Sequence, residues 1–431
     1  SQTLALPSSS ESDLRQSFFT ERKGRKNMER SLNSLKAHDG LLKIGFVSNL
    51  RGGAYLKELQ DALTGTDEEP TAQEIRNRAN ASEIISLNYS GYEQDSKGKK
   101  VEESKAQFKA FNSGYKKASG EDIYGWFEKD PDSDTFRGVN WGTINEIRAY
   151  GSIRKMMARS FRMGDFYFSN IDECQAFLED IAESTIPEIW KFSNRQSVIK
   201  RPILKSYIEN IFIKLKKEGK VLKSDDGKYI MFNTNLIDKF FHALYIIAEV
   251  KQADSLEVYL NPIRTAEESY STLRKYGFEG KLPQAPTFFE DLSEVIFNTS
   301  DNWKIDKDFN SLSHIIEKRI DRFPVQMRDK SPDLLARKLY DAIGFAMAIA
   351  QRNYKYIVPI YYPRFDSISF LMPIFLDGAY SASPDFALVL QTDREHHLYI
   401  ARTILDLESG YQDARLIAKP DESWLNPVTL K

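Results

Sequence analysis

The chain has 431 residues and a nearly balanced charge, with 60 Lys and Arg against 62 Asp and Glu. This length predicts two or three domains. The balance excludes a strongly basic protein, so any phosphate binding must come from local patches. Cys174 is the only cysteine, which excludes intramolecular disulfides and favours a reducing, cytoplasmic location. No apolar run approaches the roughly 20 residues that span a bilayer, so we expect no membrane partner.

The first 150 residues divide into two parts by composition. Residues 1–40 are polar and Ser-rich, with a basic cluster over residues 22–26, and predict a mobile arm. Residues 41–150 predict an N-terminal α/β extension of unknown role, with a strand over residues 42–47 and a helix over residues 55–63. A glycine-bearing turn joins the two. Residues 64–140 are rich in charged and small residues and predict a loop-rich connection with a helix near residues 102–111.

Residues 151–250 predict a helical and winged-helix-like segment. Apolar periodicity indicates a helix over residues 171–185. Pro202 then starts a second helix with one apolar face, and Gly219 ends it. Two strands follow over residues 220–223 and 228–232, joined by Asp226-Gly227. A helix followed by a hairpin is typical of a winged helix, and such modules bind either nucleic acid or other proteins.

Side chains around this hairpin are the first candidate nucleic-acid-binding residues. The lysines can hold phosphates. They are Lys216, Lys217, Lys220, Lys223 and Lys228. Asn233 follows the hairpin and can hydrogen-bond a base or a sugar, although with Thr234 it can equally stabilise a local turn.

Residues 251–431 predict an α+β domain with an antiparallel meander. Ser331 and Pro332 start a long helix with an apolar side. Four strands are predicted over residues 356–362, 368–376, 386–392 and 398–407, and a last helix over residues 411–418. Short connections imply antiparallel neighbours that pack on the long helix. The fold class is therefore α+β, a winged-helix-like helix and hairpin joined to an antiparallel β-meander packed on helices.

Several short segments between about residues 166 and 425 match one family in order and spacing. They include Ile186-Pro187-Glu188-Ile189-Trp190, Pro202-Ile203-Leu204-Lys205-Ser206-Tyr207, Arg352-Asn353-Tyr354-Lys355 and Ala414-Arg415-Leu416-Ile417-Ala418-Lys419-Pro420-Asp421. On these segments the chain resembles the bacterial and archaeal family called domain of unknown function 3825. The resemblance implies RNA as a partner and a stress-response setting, because members are often fused to RNA-binding modules.

Residues 352–365 interleave cations with aromatic residues, which is the composition of a surface for single-stranded nucleic acid. Aromatic faces stack on bases while cations contact phosphates. The candidate binding residues are Arg352, Tyr354, Lys355, Tyr361, Tyr362 and Arg364. Alternation along a strand places at least half of them in the core. Pro359 favours an edge strand or a bulge.

Carboxylates near the end of the chain leave an enzyme alternative open. Metal-dependent nucleases need acidic groups that converge on magnesium. The weak catalytic candidates are Asp406, Asp413 and Arg415. Asp406 lies in a predicted apolar strand, so we expect it either to pair with Arg402 or Arg415 or to serve a site.

The sequence therefore predicts a nucleic-acid-binding protein, with RNA or single strands as the partner. No cofactor and no metal ligand are predicted, and magnesium enters only with the alternative of an enzyme acting on a nucleotide or phosphodiester. The second alternative is a scaffold that binds another protein.

Overall fold

The computed structural model describes residues 43–45, 47, 52–94, 100–129, 134–254, 256–306, 309–377 and 383–430. The chain divides into two compact units, Ser1–Ser160 with Lys251–Glu257 and Phe161–Val250 with Val258–Lys431. The arm predicted over residues 1–40 and most of the glycine-bearing turn lie outside the described residues. In the part that is described, no helix has the length and apolar character to cross a membrane.

The first unit is built around a four-stranded sheet. Its elements are α1 (Gly52–Ala62), α2 (Ala72–Ala81), β1 (Ile84–Gln94), β2 (Lys100–Lys116), β3 (Asp122–Lys129), β4 (Phe136–Gly142) and α3 (Ile144–Arg159). The strands lie in the order β1-β2-β3-β4 and each pair is antiparallel. The predicted helix over residues 55–63 is confirmed as α1. The predicted strand over residues 42–47 is wrong for its described residues, which are not in a strand.

The loop-rich connection predicted over residues 64–140 is wrong, because the described part of this stretch contains α2, β1, β2, β3 and most of β4. The helix predicted near residues 102–111 is also wrong, because these residues belong to β2. Phe108 and Ala110 are buried in one cluster with Tyr150 of α3. Phe111 and Tyr115 are buried in a second cluster with side chains of α1 and α2. Successive residues in a strand point to opposite faces. A sheet covered on both faces therefore buries both sets and loses the simple alternation that would have revealed it.

The second unit begins with a six-stranded sheet and its helices. The elements are β5 (Phe161–Met163), β6 (Phe166–Phe168), α4 (Ile171–Ser184), α5 (Pro202–Lys217), β7 (Leu222–Lys223), β8 (Tyr229–Ile237), β9 (Ala243–Ala253), β10 (Leu256–Ala266) and α6 (Tyr270–Lys275). The strand order is β5-β6-β10-β9-β8-β7, and β6 runs parallel to β10. The predicted helix over residues 171–185 is confirmed as α4.

The predicted helix and hairpin are both present. α5 has Pro202 in its first turn, and Gly219 adopts a left-handed φ of +65° after its end. Gly227, with φ +69°, lies in the turn between β7 and β8. However, β8 continues to Ile237 and pairs with β9. The hairpin is therefore the edge of a larger sheet, and the apolar face of α5 is buried in the core of this unit.

A five-stranded sheet completes the second unit. Its elements are β11 (Lys304–Asp306), α7 (Phe309–Arg319), α8 (Pro332–Ala350), β12 (Val358–Tyr362), β13 (Ser367–Ile374), β14 (Phe386–Asp393), β15 (Leu398–Leu405) and α9 (Leu407–Arg415), with short 3-10 helices at Leu292–Val295, Ile320–Arg322 and Val325–Met327. The order β11-β15-β14-β13-β12 confirms the meander, and β11 adds a parallel strand. The α+β class is confirmed, with α8 in contact with β13.

Candidate nucleic-acid interface

The predicted aromatic and basic residues lie at two ends of one edge strand rather than on one surface. β12 is the last strand of its sheet, which confirms the edge position that Pro359 favoured. Arg352, Tyr354 and Lys355 precede β12, whereas Arg364 follows it in the turn before β13. The five residues of β12 lie between the two groups and span roughly 16 Å at the rise of a strand.

A small cavity lies at the start of β12. We call it the Tyr354 cavity; its volume is about 180 Å³, and its lining includes Tyr354, Pro359 and the segment from Ala418 to Glu422. Tyr354 is 60% exposed, so its ring is open to a ligand. The two lining segments are 60 residues apart in the chain, and both belong to the motifs that carry the family resemblance. The structure thus brings together two motifs that the sequence could only place separately.

Cations border the Tyr354 cavity. Lys355 contacts Asp421, with 3.2 Å between Nζ and Oδ2, and this hydrogen bond raises the pKa of the lysine. Arg352 is not among the lining residues; it is exposed two residues before Tyr354 and donates to the Ala348 carbonyl. Lys419 is exposed and has no hydrogen-bond or ion-pair partner among the described residues. An aromatic face and a cation that is unpaired within the described part of the chain therefore lie at the same cavity.

α9 forms one wall of the cavity and is anchored by a buried ion pair. The guanidinium of Arg415 donates to both carboxylate oxygens of Glu188, and both side chains are only 12% exposed. The guanidinium also lies over the rings of Trp190 and Tyr207, at 5.0 and 4.8 Å. Burial acts to lower the pKa of Arg415, but the bonds to Glu188 raise it, so the cation persists. The expected pairing of Arg415 with Asp406 is wrong.

The other two catalytic candidates are also on α9 or at its start. Asp406 is exposed and caps the helix, accepting from the backbone and hydroxyl groups of Ser409. Its predicted place inside a strand is wrong, because β15 ends at Leu405. Arg402 donates to Gln391 instead of Asp406. Asp413 is half-buried, and burial together with the charge of Asp406 raises the pKa of its carboxyl to about 7.

Most of the candidate lysines near the hairpin lie beside carboxylates. Lys216 contacts Asp165 at 3.0 Å, and Lys228 contacts Asp226 at 3.2 Å. Lys220 is 2.9 Å from Glu218 and donates to Thr287. The charges of these three lysines are therefore locally balanced.

Three other lysines of α5 and β7 have different surroundings. Lys217 reaches the Pro363 carbonyl at 3.5 Å, beside Arg364, and Lys223 is exposed. Lys214, which the sequence analysis did not single out, is buried between Glu218 and Asp366. Because Asp366 is 152 residues away, helical spacing alone could not reveal that pairing.

Three of the remaining candidates are engaged within the fold. Tyr361 is 1% exposed and donates to Asp366; burial and this hydrogen bond raise the pKa of its hydroxyl. Tyr362 is half-buried and packs on Phe365. Asn233 is buried, donates to the Pro283 carbonyl and accepts from the Asn235 backbone at a bulge of β8. These contacts agree with a core or local-turn role for the three side chains.

One group of side chains among the described residues has the composition of a metal site. Asp238 and His242 flank the turn between β8 and β9, and Glu268 follows β10; their ligand atoms all lie within 4.8 Å of one another. None of these three residues was among the sequence-predicted candidates. The Asp-x-x-x-His spacing was visible, but Glu268 is distant in the chain and joins the group only through the order of the strands.

Fold and side chains define an α+β protein with a small cavity bordered by an exposed tyrosine and lysines. The family model described as Domain of unknown function (DUF3825) matches residues 179–424, which is more than half of the chain. The chain therefore belongs to this family, as the motifs had suggested. No curated protein and no solved structure matches the chain.

Proposed function

We propose that this DUF3825 protein binds single-stranded nucleic acid, RNA in particular, with one base held in the Tyr354 cavity. The observation that carries the proposal is the presence of an exposed aromatic ring, an apolar cavity and cations at one place. Tyr354 supplies the ring, and Lys419 supplies a cation that has no partner among the described residues. Stacking on an aromatic side chain combined with phosphate contacts is how single strands are commonly bound.

The size of the cavity suits one planar ring. A cavity of about 150 Å³ holds a benzene molecule, and the Tyr354 cavity has about 180 Å³. Ile357, Val358, Pro359 and Ile417 give it apolar walls against which a base can pack. A base bound there would leave its sugar and phosphate at the rim, where Lys355 and Lys419 lie. The carboxylates of Asp421 and Glu422 can accept a hydrogen bond from a 2′-hydroxyl, the group that distinguishes RNA from DNA.

The winged-helix-like segment supplies a second, weaker contact in this proposal. Lys217 and Arg364 lie together at the end of α5, through the contact of Lys217 with Pro363. Lys216, Lys220 and Lys228 are held by neighbouring carboxylates and contribute less to phosphate binding than their number suggests. A nucleic-acid strand that runs from the Tyr354 cavity along β12 would reach Lys217 and Arg364 at the other end of β12.

The proposal includes a cytoplasmic location. Cys174 is buried, and burial raises the pKa of its thiol to about 12. Such a thiol is unreactive and requires no oxidising compartment.

Replacing Tyr354 by Ala tests the proposal directly. Loss of one stacking ring costs roughly 1–3 kcal/mol of binding free energy, so we expect affinity for a short fluorescently labelled RNA to fall roughly five- to 150-fold. The matched control is Tyr340→Ala, because Tyr340 is 52% exposed and lies on α8, ten residues before the end of that helix. Fluorescence anisotropy at fixed salt measures both variants. Equal affinities for the two variants would contradict the proposal.

A protein-binding role is the second candidate, and one observation favours it. Phe240 and Phe241 are adjacent, and each is 76% exposed at the turn between β8 and β9. Exposed aromatic pairs are a feature of protein-binding surfaces. No comparable observation favours the magnesium-dependent enzyme, since Asp406 caps α9 and Arg415 is paired with Glu188.

A further inference from the structure

We propose that Asp238, His242 and Glu268 form a binding site for a divalent transition-metal ion, with Zn²⁺ as the best-matched ion. The site lies apart from the proposed RNA site in the sequence and does not depend on it. It provides one imidazole nitrogen and two carboxylate oxygens, a donor set that suits zinc.

The strand order explains why these residues meet. β9 lies between β8 and β10 in the sheet. The turn from β8 to β9 therefore lies at the same end of the sheet as the residues that follow β10. The Glu267 backbone donates to the Ala243 carbonyl at 3.3 Å, which holds the start of this segment beside β9. Glu268 is the next residue and reaches the side chain of His242.

The turn fixes the direction of the Asp238 carboxylate. Its Oδ1 atom accepts from the backbone of Phe240 at 2.7 Å and from the backbone of His242 at 2.9 Å. The Asp238 backbone in turn donates to the His242 carbonyl at 2.9 Å. Both backbone bonds fall on one oxygen, which leaves Oδ2 directed at the imidazole. Two of the three ligand side chains are thus held on one short, closed turn before any ion binds.

The distances agree with coordination around one ion. Nδ1 of His242 is 3.2 Å from Oδ2 of Asp238 and 3.2 Å from Oε1 of Glu268. Tetrahedral zinc with bonds of about 2.1 Å separates neighbouring ligand atoms by about 3.4 Å. Nδ1 therefore lies equally close to both oxygens, whether it carries a proton or a lone pair. When Nδ1 carries a proton, the three residues form an ion cluster. When Nδ1 carries a lone pair, that lone pair and the two carboxylates can bind a metal ion.

The fourth coordination position would face solvent. The side chains of His242 and Glu268 are 36% and 43% exposed, while that of Asp238 is 13% exposed. Three protein ligands with an open position is the arrangement of zinc sites that bind water or a further ligand.

Isothermal titration of the full chain with Zn²⁺ alone tests this site. We expect one ion to bind, and His242→Ala and Glu268→Gln each to weaken binding by at least about tenfold. The control is His396→Ala, because His396 contacts a single carboxylate, that of Asp393, at 2.9 Å and is not part of a three-ligand group. This control should bind as the unaltered protein does.

Two results would overturn the proposal. One is the absence of stoichiometric Zn²⁺ binding by the folded, unaltered chain, which would show that the three residues form only an ion cluster. The other is binding that survives both His242→Ala and Glu268→Gln. Circular dichroism of each variant, recorded before titration, ensures that folded proteins are compared.

Discussion

The two ends of β12 carry similar residue types in different surroundings. At its start, Tyr354 is exposed at a cavity and Lys419 has no partner among the described residues. At its other end, Tyr361 is buried against Asp366, and Lys214 lies between two carboxylates. An aromatic residue next to cations therefore indicates a binding surface only where the ring is open and a charge remains unbalanced. The same composition inside a fold forms a buried polar network.

Replacing Arg415 by Met should have the largest effect on stability. It leaves Glu188 buried without its partner, and breaking a buried ion pair costs about 3–5 kcal/mol. The control Lys216→Met removes a half-exposed pair with Asp165, which should cost no more than about 1 kcal/mol. Urea unfolding measures both free energies. Similar losses in the two variants would show that α9, and with it the wall of the Tyr354 cavity, does not depend on the pair.

Replacing Asp413 by Asn should change how stability depends on pH. The pKa of Asp413 is about 7 in the folded protein and about 3.9 in an unfolded chain. The folded state therefore holds its proton more tightly, and the free energy of unfolding falls as pH rises between these two values.

The Asp413→Asn variant has no carboxyl at this position, so its free energy of unfolding does not show this decrease with pH. At about pH 8 it should be more stable than the unaltered protein by on the order of 4 kcal/mol, and at about pH 3 the two should be equally stable. Thermal unfolding across this range measures the difference, with Asp421→Asn, at an exposed aspartate of the Tyr354 cavity, as the control. A difference that is constant with pH would contradict the raised pKa.

The sequence predicted elements whose periodicity is local. α4, α5, α8 and the meander from β12 to β15 each follow from apolar spacing and turn residues within a short stretch. The sheet of the first unit was missed because both of its faces are buried, which removes the alternation expected of a half-exposed strand.

Within the candidate site, the partners of the charged residues were the hardest feature to predict from the sequence. Arg415 and Glu188 are separated by 227 residues, and no local pattern identifies that pair. Asp406 was placed in a strand because the apolar run before it continues with Leu407, although capping is the common role of an Asp at such a position. The cavity needs two motifs that are distant in the sequence. Tyr354 and Lys355 were predicted as candidates, whereas Lys419 was not, because only the fold brings the second motif to them.

Replacing single lysines should have the smallest effect. It compares Lys419, at the Tyr354 cavity, with Lys220, which a carboxylate already holds. Lys419→Ala should lower the slope of log affinity against log salt for RNA by about 0.7, the value for one contact to a single strand. Lys220→Ala should leave the slope unchanged, because Glu218 and Thr287 already hold that ammonium group. Anisotropy titrations over a series of salt concentrations measure both slopes. A larger change in slope for Lys220→Ala than for Lys419→Ala would indicate that the main phosphate contact lies at the hairpin.

Ultraviolet cross-linking of the full chain to a short RNA, followed by mass spectrometry of the linked peptides, tests the central claim most directly. We predict that the dominant linked peptide contains Tyr354, and that the weaker links fall near Lys217 and Arg364. Links confined to α5, β7 and β8, or no links under conditions where the RNA binds, would contradict the claim that the Tyr354 cavity holds a base.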